Sequence, residues 1–212
     1  MMNLSRFPEH TSPPLRWPLS WEQLGEQLSK PRRTACTIAD CRGSACKHKN
    51  GECWSPAVFV VDRRFRSSLD VLSISCLALD IDHVPEAALA ALGDHLARYQ
   101  HMIHATHADR LGDRCLRAVV QLSRPVMPQE WQRFVRSAVA MAGVPVDSPT
   151  IDIARLFYLP SRPRDADYFI ETRAGEALDV DALLATKQPA QAACNHQLYD
   201  DSCAVQPPGG ES

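Results

Sequence analysis

Two aspartates close a run that otherwise reads as a buried strand. Residues 71–79, Val-Leu-Ser-Ile-Ser-Cys-Leu-Ala-Leu, lead directly into Asp80-Ile81-Asp82, and a carboxylate buried without a partner is strongly destabilising. Side chains alternate along a strand. Asp80 and Asp82 therefore share one face, Leu77, Leu79 and Ile81 take the other, and the two carboxylates lie roughly 6–7 Å apart. Hard oxygen ligands at that spacing suit one or two divalent cations, because paired catalytic metals sit about 3.5–4 Å apart. The competing reading is a strand whose solvent end is simply acidic.

A second cluster is built of sulfur: Cys36-x4-Cys41-x4-Cys46-x6-Cys53, with Arg42, Lys47, His48 and Lys49 between the thiols. These thiols, in a segment with few apolar residues, could wrap one tetrahedral Zn2+ and so staple it. Free thiols and an iron–sulfur cluster are the alternatives, since the spacing is not that of a Cys-x2-Cys knuckle. Disulfides are not expected. Met1–Trp17 carries prolines and charges where a secretory segment would be apolar, and no apolar run reaches the ~18 residues of a membrane span. The expectation is a cytoplasmic protein with no membrane partner.

Periodicity and punctuation indicate the elements that position these groups. Residues 1–16, with Pro8, Pro13 and Pro14, are expected to form an extended N-terminal arm. Ser20 caps a helix with Gln23 in a capping box and Trp21, Leu24 and Leu28 on one face. After the Cys-rich insert at 36–53, a strand at 57–61 turns through Arg63, Arg64 and Arg66 into the acidic strand. Pro85 opens a helix with Ala88, Leu89, Leu92 and Leu96 inward. A strand over 101–107 ends in His107, while His101 and His104 read as core or surface residues. The strand over 115–122 places Arg117 on one face with Val119 and Gln121, and an arginine among apolar neighbours needs an anion or a carboxylate opposite it.

Pro128 starts a helix that turns Trp131, Phe134, Val135, Ala138 and Ala142 inward and stops at Gly143. The loop 144–152 carries Asp147 and Asp152, and a strand over 153–159 carries Arg155. A strand near 168–171 and a helix capped by Asp179 complete a domain spanning 17–186. From Lys187 to residue 212 the composition predicts a disordered tail. The order of elements argues for an α+β fold with a largely antiparallel sheet and flanking helices.

Composition narrows the choice of function. A net charge of −2 over 212 residues advertises no global nucleic-acid surface, so any phosphate site must be a local patch. Positive charge is nearly all arginine, with lysine only at Lys30, Lys47, Lys49 and Lys187. No phosphate-binding Gly-x4-Gly-Lys-Ser/Thr loop, dinucleotide fingerprint or internal repeat is present.

In chain order the residues form a set: Leu-Ala-Leu-Asp80-Ile-Asp82-His, Ala-Thr106-His107, Arg117-Ala-Val-Val-Gln-Leu-Ser-Arg124-Pro125, and Val-Asp147 followed by Ala-Arg155-Leu-Phe-Tyr-Leu-Pro160-Ser161. This set, spanning residues 54–163, resembles the archaeo-eukaryotic primase superfamily, especially the compact primase–polymerase domains of plasmids, phages and integrated elements. The resemblance implies an RRM-like catalytic core. It also implies template-directed nucleotidyl transfer that makes or extends primers for replication of a mobile element. Single-stranded DNA, nucleoside triphosphates and a separate helicase would be the partners.

Under that resemblance Asp80 and Asp82 are the first acidic motif and Asp147 the third-motif carboxylate, jointly holding two Mg2+ or Mn2+ ions. Asp152 is the alternative third ligand; Asp147 is favoured because the family's acid precedes its arginine strand by several residues. His107 corresponds to the histidine that touches the triphosphate, and Arg117 and Arg155 are further phosphate ligands. The Cys36–Cys53 segment resembles the zinc elements of some such primases, without a ligand-by-ligand correspondence. Two other functions would use the same residues. One is a non-catalytic DNA-binding replication-initiator module. The other is a metal-dependent nuclease or phosphohydrolase, for which His83 or His104 would have to join the acids.

Overall fold

The computed structural model describes residues 1–61, 63 and 65–186. The chain begins with β1 (Met2–Phe7), β2 (Leu15–Leu19), α1 (Trp21–Leu28) and β3 (Arg32–Arg33). After the Cys-rich loop come β4 (Cys53–Ser55), β5 (Ala57–Phe59), β6 (Val71–Val84), α2 (Glu86–Leu96), β7 (His101–Ala105) and β8 (Arg114–Val126). The remainder is α3 (Pro128–Ala142), β9 (Phe157–Tyr158), β10 (Ser161–Arg162), β11 (Ile170–Arg173) and α4 (Val180–Ala185).

An antiparallel sheet of order β11-β7-β8-β6-β5 forms the centre. Strand alternation gives it two different faces. Leu77, Leu79 and Ile81 of β6, Ala118 and Val120 of β8 and Ile103 of β7 pack with Leu92 and Leu96 of α2 and Trp131 and Phe134 of α3. Cys76, Ala78, Val119 and Met102 point the opposite way. They meet a second layer made of α1 and the antiparallel sheet β2-β1-β4-β9, where Leu4, Trp21, Leu24, Trp54 and Phe157 build another core. The fold is α+β. The run β6-α2-β7-β8-α3 with spatial order β7-β8-β6 is the split β-α-β arrangement of an RRM-like core. The outer edge of β6 is taken by β5, which precedes it in the chain.

Residues 1–16 do not form the expected extended arm. β1 pairs with both β2 and β4, and Leu4 and Phe7 are fully buried. The prolines that suggested an arm, Pro8, Pro13 and Pro14, lie in the loop of the β1–β2 hairpin; Pro18 falls in the edge strand β2, where a missing ladder donor costs little. The strand expected over 153–159 shrinks to Phe157–Tyr158. Asp152 captures the Ala154 N–H with its side chain at 2.9 Å and the Arg155 N–H with its carbonyl at 3.0 Å, which folds the chain into a turn instead of a ladder. The tail from Lys187, with its expected disorder, lies outside the described residues. Among the described residues no helix is long and apolar enough to cross a membrane.

Helix ends follow local chemistry. Ser20 and Gln23 form a reciprocal capping box on α1, and α3 ends at Gly143 with φ 67°. A Cβ at Gly143 would also run into the His95 ring of α2. Gly143→Ala should therefore lower stability by about 1–2 kcal/mol, read as a fall in the urea midpoint at unchanged slope.

Candidate active site

Register assembles the centre of the site. β6, β8 and β7 run side by side, with Asp80 opposite Arg117 and Arg117 opposite His104. These three side chains continue the apolar row Ala78–Val119–Met102, two residues further along each strand and on the same face. There the row turns polar and a cleft of about 400 Å³ opens, lined by Asp80, Asp82, Asp147, Arg117, Arg155 and His104 among others.

Asp80 is buried, and its Oδ1 accepts a hydrogen bond from Arg117 Nε at 2.7 Å. Arg117 also donates from Nη1 to the Tyr158 carbonyl at 3.1 Å, and its guanidinium stacks 4.4 Å from the Phe157 ring centre. These contacts make Arg117, expected from the sequence to be a phosphate ligand, the buried counter-charge of Asp80 in this structure. Arg155 is the looser cation. Its Nη2 lies 3.8 Å from Asp80 Oδ2 and 4.0 Å from Asp147 Oδ2, and about a third of its side chain is exposed, at 34%.

Asp147 reaches the acidic strand through the backbone. Its N–H donates to the Asp80 carbonyl at 2.8 Å, and Thr150 Oγ1, one short turn later, accepts the Asp80 N–H at 3.2 Å. Asp152 also lines the cleft, but its Oδ1 is engaged by the Ala154 N–H. Asp82 sits at a β-bulge where the β6–β8 register slips between Ile81 and Val84. The adjacent His83 takes φ 58° and turns its Nδ1 to Asp113 at 3.2 Å. A bulge of this kind re-aims the neighbouring side chain. Asp82 has no hydrogen bond or ion pair among the described residues. Asp82 is exposed at the mouth of the cleft, where partial desolvation, then the charges of Asp80 and Asp147, push its pKa above the ordinary carboxylate value. Three carboxylates facing one cleft, one of them with no hydrogen bond or ion pair among the described residues, form a donor set in want of cations, and all-oxygen donors fit Mg2+ or Mn2+.

The family model of the VapE N-terminal domain matches residues 15–192. The chain belongs to this family. A solved structure similar to this VapE N-terminal domain is the AEP domain of the cyanophage S-2L primase-polymerase, at 15% identity and a TM-score of 0.46, with 86% of each chain covered. No curated protein matches the sequence.

In this VapE N-terminal domain the histidines are placed differently from the sequence expectation. His107 lines the cleft, but both ring nitrogens face protein partners: Nδ1 lies 3.1 Å from Ser161 Oγ and Nε2 lies 3.4 Å from Cys36 Sγ. No ring nitrogen is left for a triphosphate in this arrangement. Burial, reinforced by the Arg110 charge, lowers its pKa to about 4, so it is neutral at physiological pH. His104, read from sequence as a core or surface residue, is the one the register places beside Arg117. Its Nδ1 pairs with the Ala105 carbonyl at 2.9 Å, and its buried Nε2 has no partner among the described residues. Burial and the Arg117 charge lower its pKa to about 4. The signal available in sequence was parity, since His104 lies two residues from the apolar Met102 on the same face.

The thiols also divide. Cys36, Cys41 and Cys46 gather with His107, whereas Cys53, expected as the fourth sulfur ligand, is held elsewhere. Pairing of Cys53 with Phe7 and Tyr158 fixes it in β4, its thiol donates to the Gly51 carbonyl at 3.3 Å, and burial pushes its pKa up to about 11. From the basic turn, Arg66 reaches the cleft and donates to the Ala154 carbonyl, while Arg63 pairs with Asp70.

Proposed function

We propose that the domain is a metal-dependent, template-directed nucleotidyltransferase that makes or extends primers for replication of a mobile element. The observation that supports this most is the convergence of Asp80, Asp82 and Asp147 in one cleft with Arg155 beside them. Asp80, Asp82 and Asp147 would hold Mg2+ or Mn2+, which when bound supplies Lewis-acid activation of a 3′-hydroxyl and neutralises phosphate charge. Arg117 fixes the Asp80 carboxylate through Oδ1 and leaves Oδ2 only its longer contact to Arg155. Arg155 itself, partly exposed and tethered at about 4 Å, is free to swing onto a nucleotide triphosphate and hold it in line. Single-stranded DNA and nucleoside triphosphates are the partners in this reading, with strand separation left to a separate helicase.

Two other uses of the acids fit less well. A nuclease built on them would want a ligating histidine, yet His83 is turned to Asp113 and His104 Nε2 is buried. A module that only binds DNA gains nothing from carboxylates that repel phosphate when no cation lies between them.

The test is incubation of the full chain with a single-stranded template, labelled nucleotides and Mn2+. New labelled strands are expected; shortening of the template would indicate the nuclease, and binding without either would indicate the module. Asp147→Asn should lower synthesis by about 10²–10³-fold, the scale of losing one charged group at the reacting centre. Asp152→Asn should leave most of it. The reverse order would make Asp152 the third ligand.

A further inference from the structure

We propose that Cys36, Cys41, Cys46 and His107 bind one Zn2+, with His107 as the fourth ligand in place of Cys53. This site stands independently of the nucleotidyl-transfer reading.

The ligand atoms of these residues all lie within 4.8 Å of one another. Tetrahedral Zn2+ with Zn–S near 2.3 Å and Zn–N near 2.0–2.1 Å requires S···S of about 3.8 Å and S···N of about 3.6 Å. Cys46 Sγ lies 3.8 Å from Cys36 Sγ, and Cys36 Sγ lies 3.4 Å from His107 Nε2. The spacing is that of a ligand shell, not of apolar thiol packing.

The surroundings support the same assignment. A ligating histidine normally commits its other ring nitrogen to a hydrogen-bond partner, which fixes its tautomer and orientation. His107 Nδ1 meets Ser161 Oγ in this way at 3.1 Å. Ser161 opens β10, which pairs in parallel with β3, and the Thr34 that follows β3 places Oγ1 3.1 Å from Cys36 Sγ. The small β3–β10 pair thus delivers the first cysteine and the histidine's partner to the same point, although Cys36 and His107 are 71 positions apart. Arg32 Nη2 gathers the carbonyls of His48 and Asn50 at 3.0 and 2.9 Å.

The segment also lacks another source of stability. Among the described residues of 35–52, Cys36 and Cys46 alone are buried, and Ile38 is 41% exposed. Without a core of its own, a loop this long needs a staple. Cys41 is partly exposed and provides the entry side for the ion. Zinc so placed ties the Cys-rich loop to the cleft wall through His107 and keeps that imidazole out of nucleotide binding.

The test is metal content of the full chain purified without chelator, followed by zinc competition. About one Zn2+ per chain is expected. Cys53→Ser should keep that stoichiometry, His107→Ala should weaken zinc binding by at least about 10–100-fold, and His107→Cys should restore it. Should His107→Ala fail to fold, the cobalt-substituted wild-type protein decides the ligand set by its absorption spectrum. Bands of a three-sulfur, one-nitrogen tetrahedral site are expected. A four-sulfur spectrum, loss of zinc in Cys53→Ser, iron in place of zinc, or no uptake at stoichiometric zinc would overturn the proposal.

Discussion

Asp82→Asn should abolish strand synthesis while making the protein slightly more stable. The loss comes from removing a carboxylate from the set that would hold the metal ions, and a fall of about 10³-fold or more is expected in the primer-synthesis rate. The gain in stability has a separate origin. Asp82 has no ion pair or hydrogen bond among the described residues, and partial desolvation in the cleft, then the charges of Asp80 and Asp147, raise its pKa in the folded state. A carboxyl whose folded pKa lies above its unfolded value destabilises the fold once it ionises. That penalty is present in full above the folded pKa and disappears as pH falls below the unfolded value of about 3.9. Asp82→Asn should accordingly raise the melting temperature at neutral pH without added metal, by less than about 1 kcal/mol because solvent screens the residue. The difference should vanish near pH 3. Saturating Mn2+ should reverse the order of stabilities, since only the wild type keeps the full ligand set. A variant that is inactive because it is unfolded would show the opposite melting shift.

Arg117→Met carries the largest expected stability cost. Asp80 and Arg117 are both buried, and their 2.7 Å contact lies where the second core opens into the cleft. Removing the guanidinium leaves a buried carboxylate whose nearest remaining cation among the described residues is Arg155 at 3.8 Å. Breaking such a pair from one side costs about 3–5 kcal/mol. Replacing both members, Asp80→Asn with Arg117→Met, should recover a good part of that loss, because the uncompensated charge is gone. Urea denaturation of the single and double variants measures the coupling directly. Additive losses would mean that the pair is not the electrostatic unit the register suggests. Divalent metal should stabilise Arg117→Met more than the wild type, since a bound cation would replace the missing charge.

What could be read from the sequence was whatever depends on neighbours along the chain. Ser20, Gln23 and Gly143 announce helix ends because capping is a local reaction of side chain or backbone with its own turn. Asp80, Asp82 and Arg117 stand out because charge within an apolar strand has to be compensated, and the structure places Asp80 and Arg117 opposite one another. What could not be read depends on long-range pairing. The β1–β2 hairpin looked like an arm because its value lies in burying Leu4 and Phe7 against residues far along the chain. His104 is prominent only once β7 is known to lie next to β8. Spacing alone suggested Cys53 as the fourth ligand, since it is the next thiol in sequence, whereas β4 pairing holds it apart from Cys36, Cys41 and Cys46, beside which His107 lies. Arg155 arrives in a turn, not a strand, because Asp152 competes for the backbone donors there.

The central claim, template-directed nucleotidyl transfer at Asp80, Asp82 and Asp147, is tested most directly by homopolymer templates. The full chain is incubated with Mn2+ and one labelled nucleotide at a time on oligo-dT, oligo-dC or no template, beside Asp80→Ala/Asp82→Ala. The account predicts labelled strands only with the complementary nucleotide, only on template, and only with the acids intact. Equal incorporation on every template, or synthesis by the double variant at the wild-type rate, would contradict it.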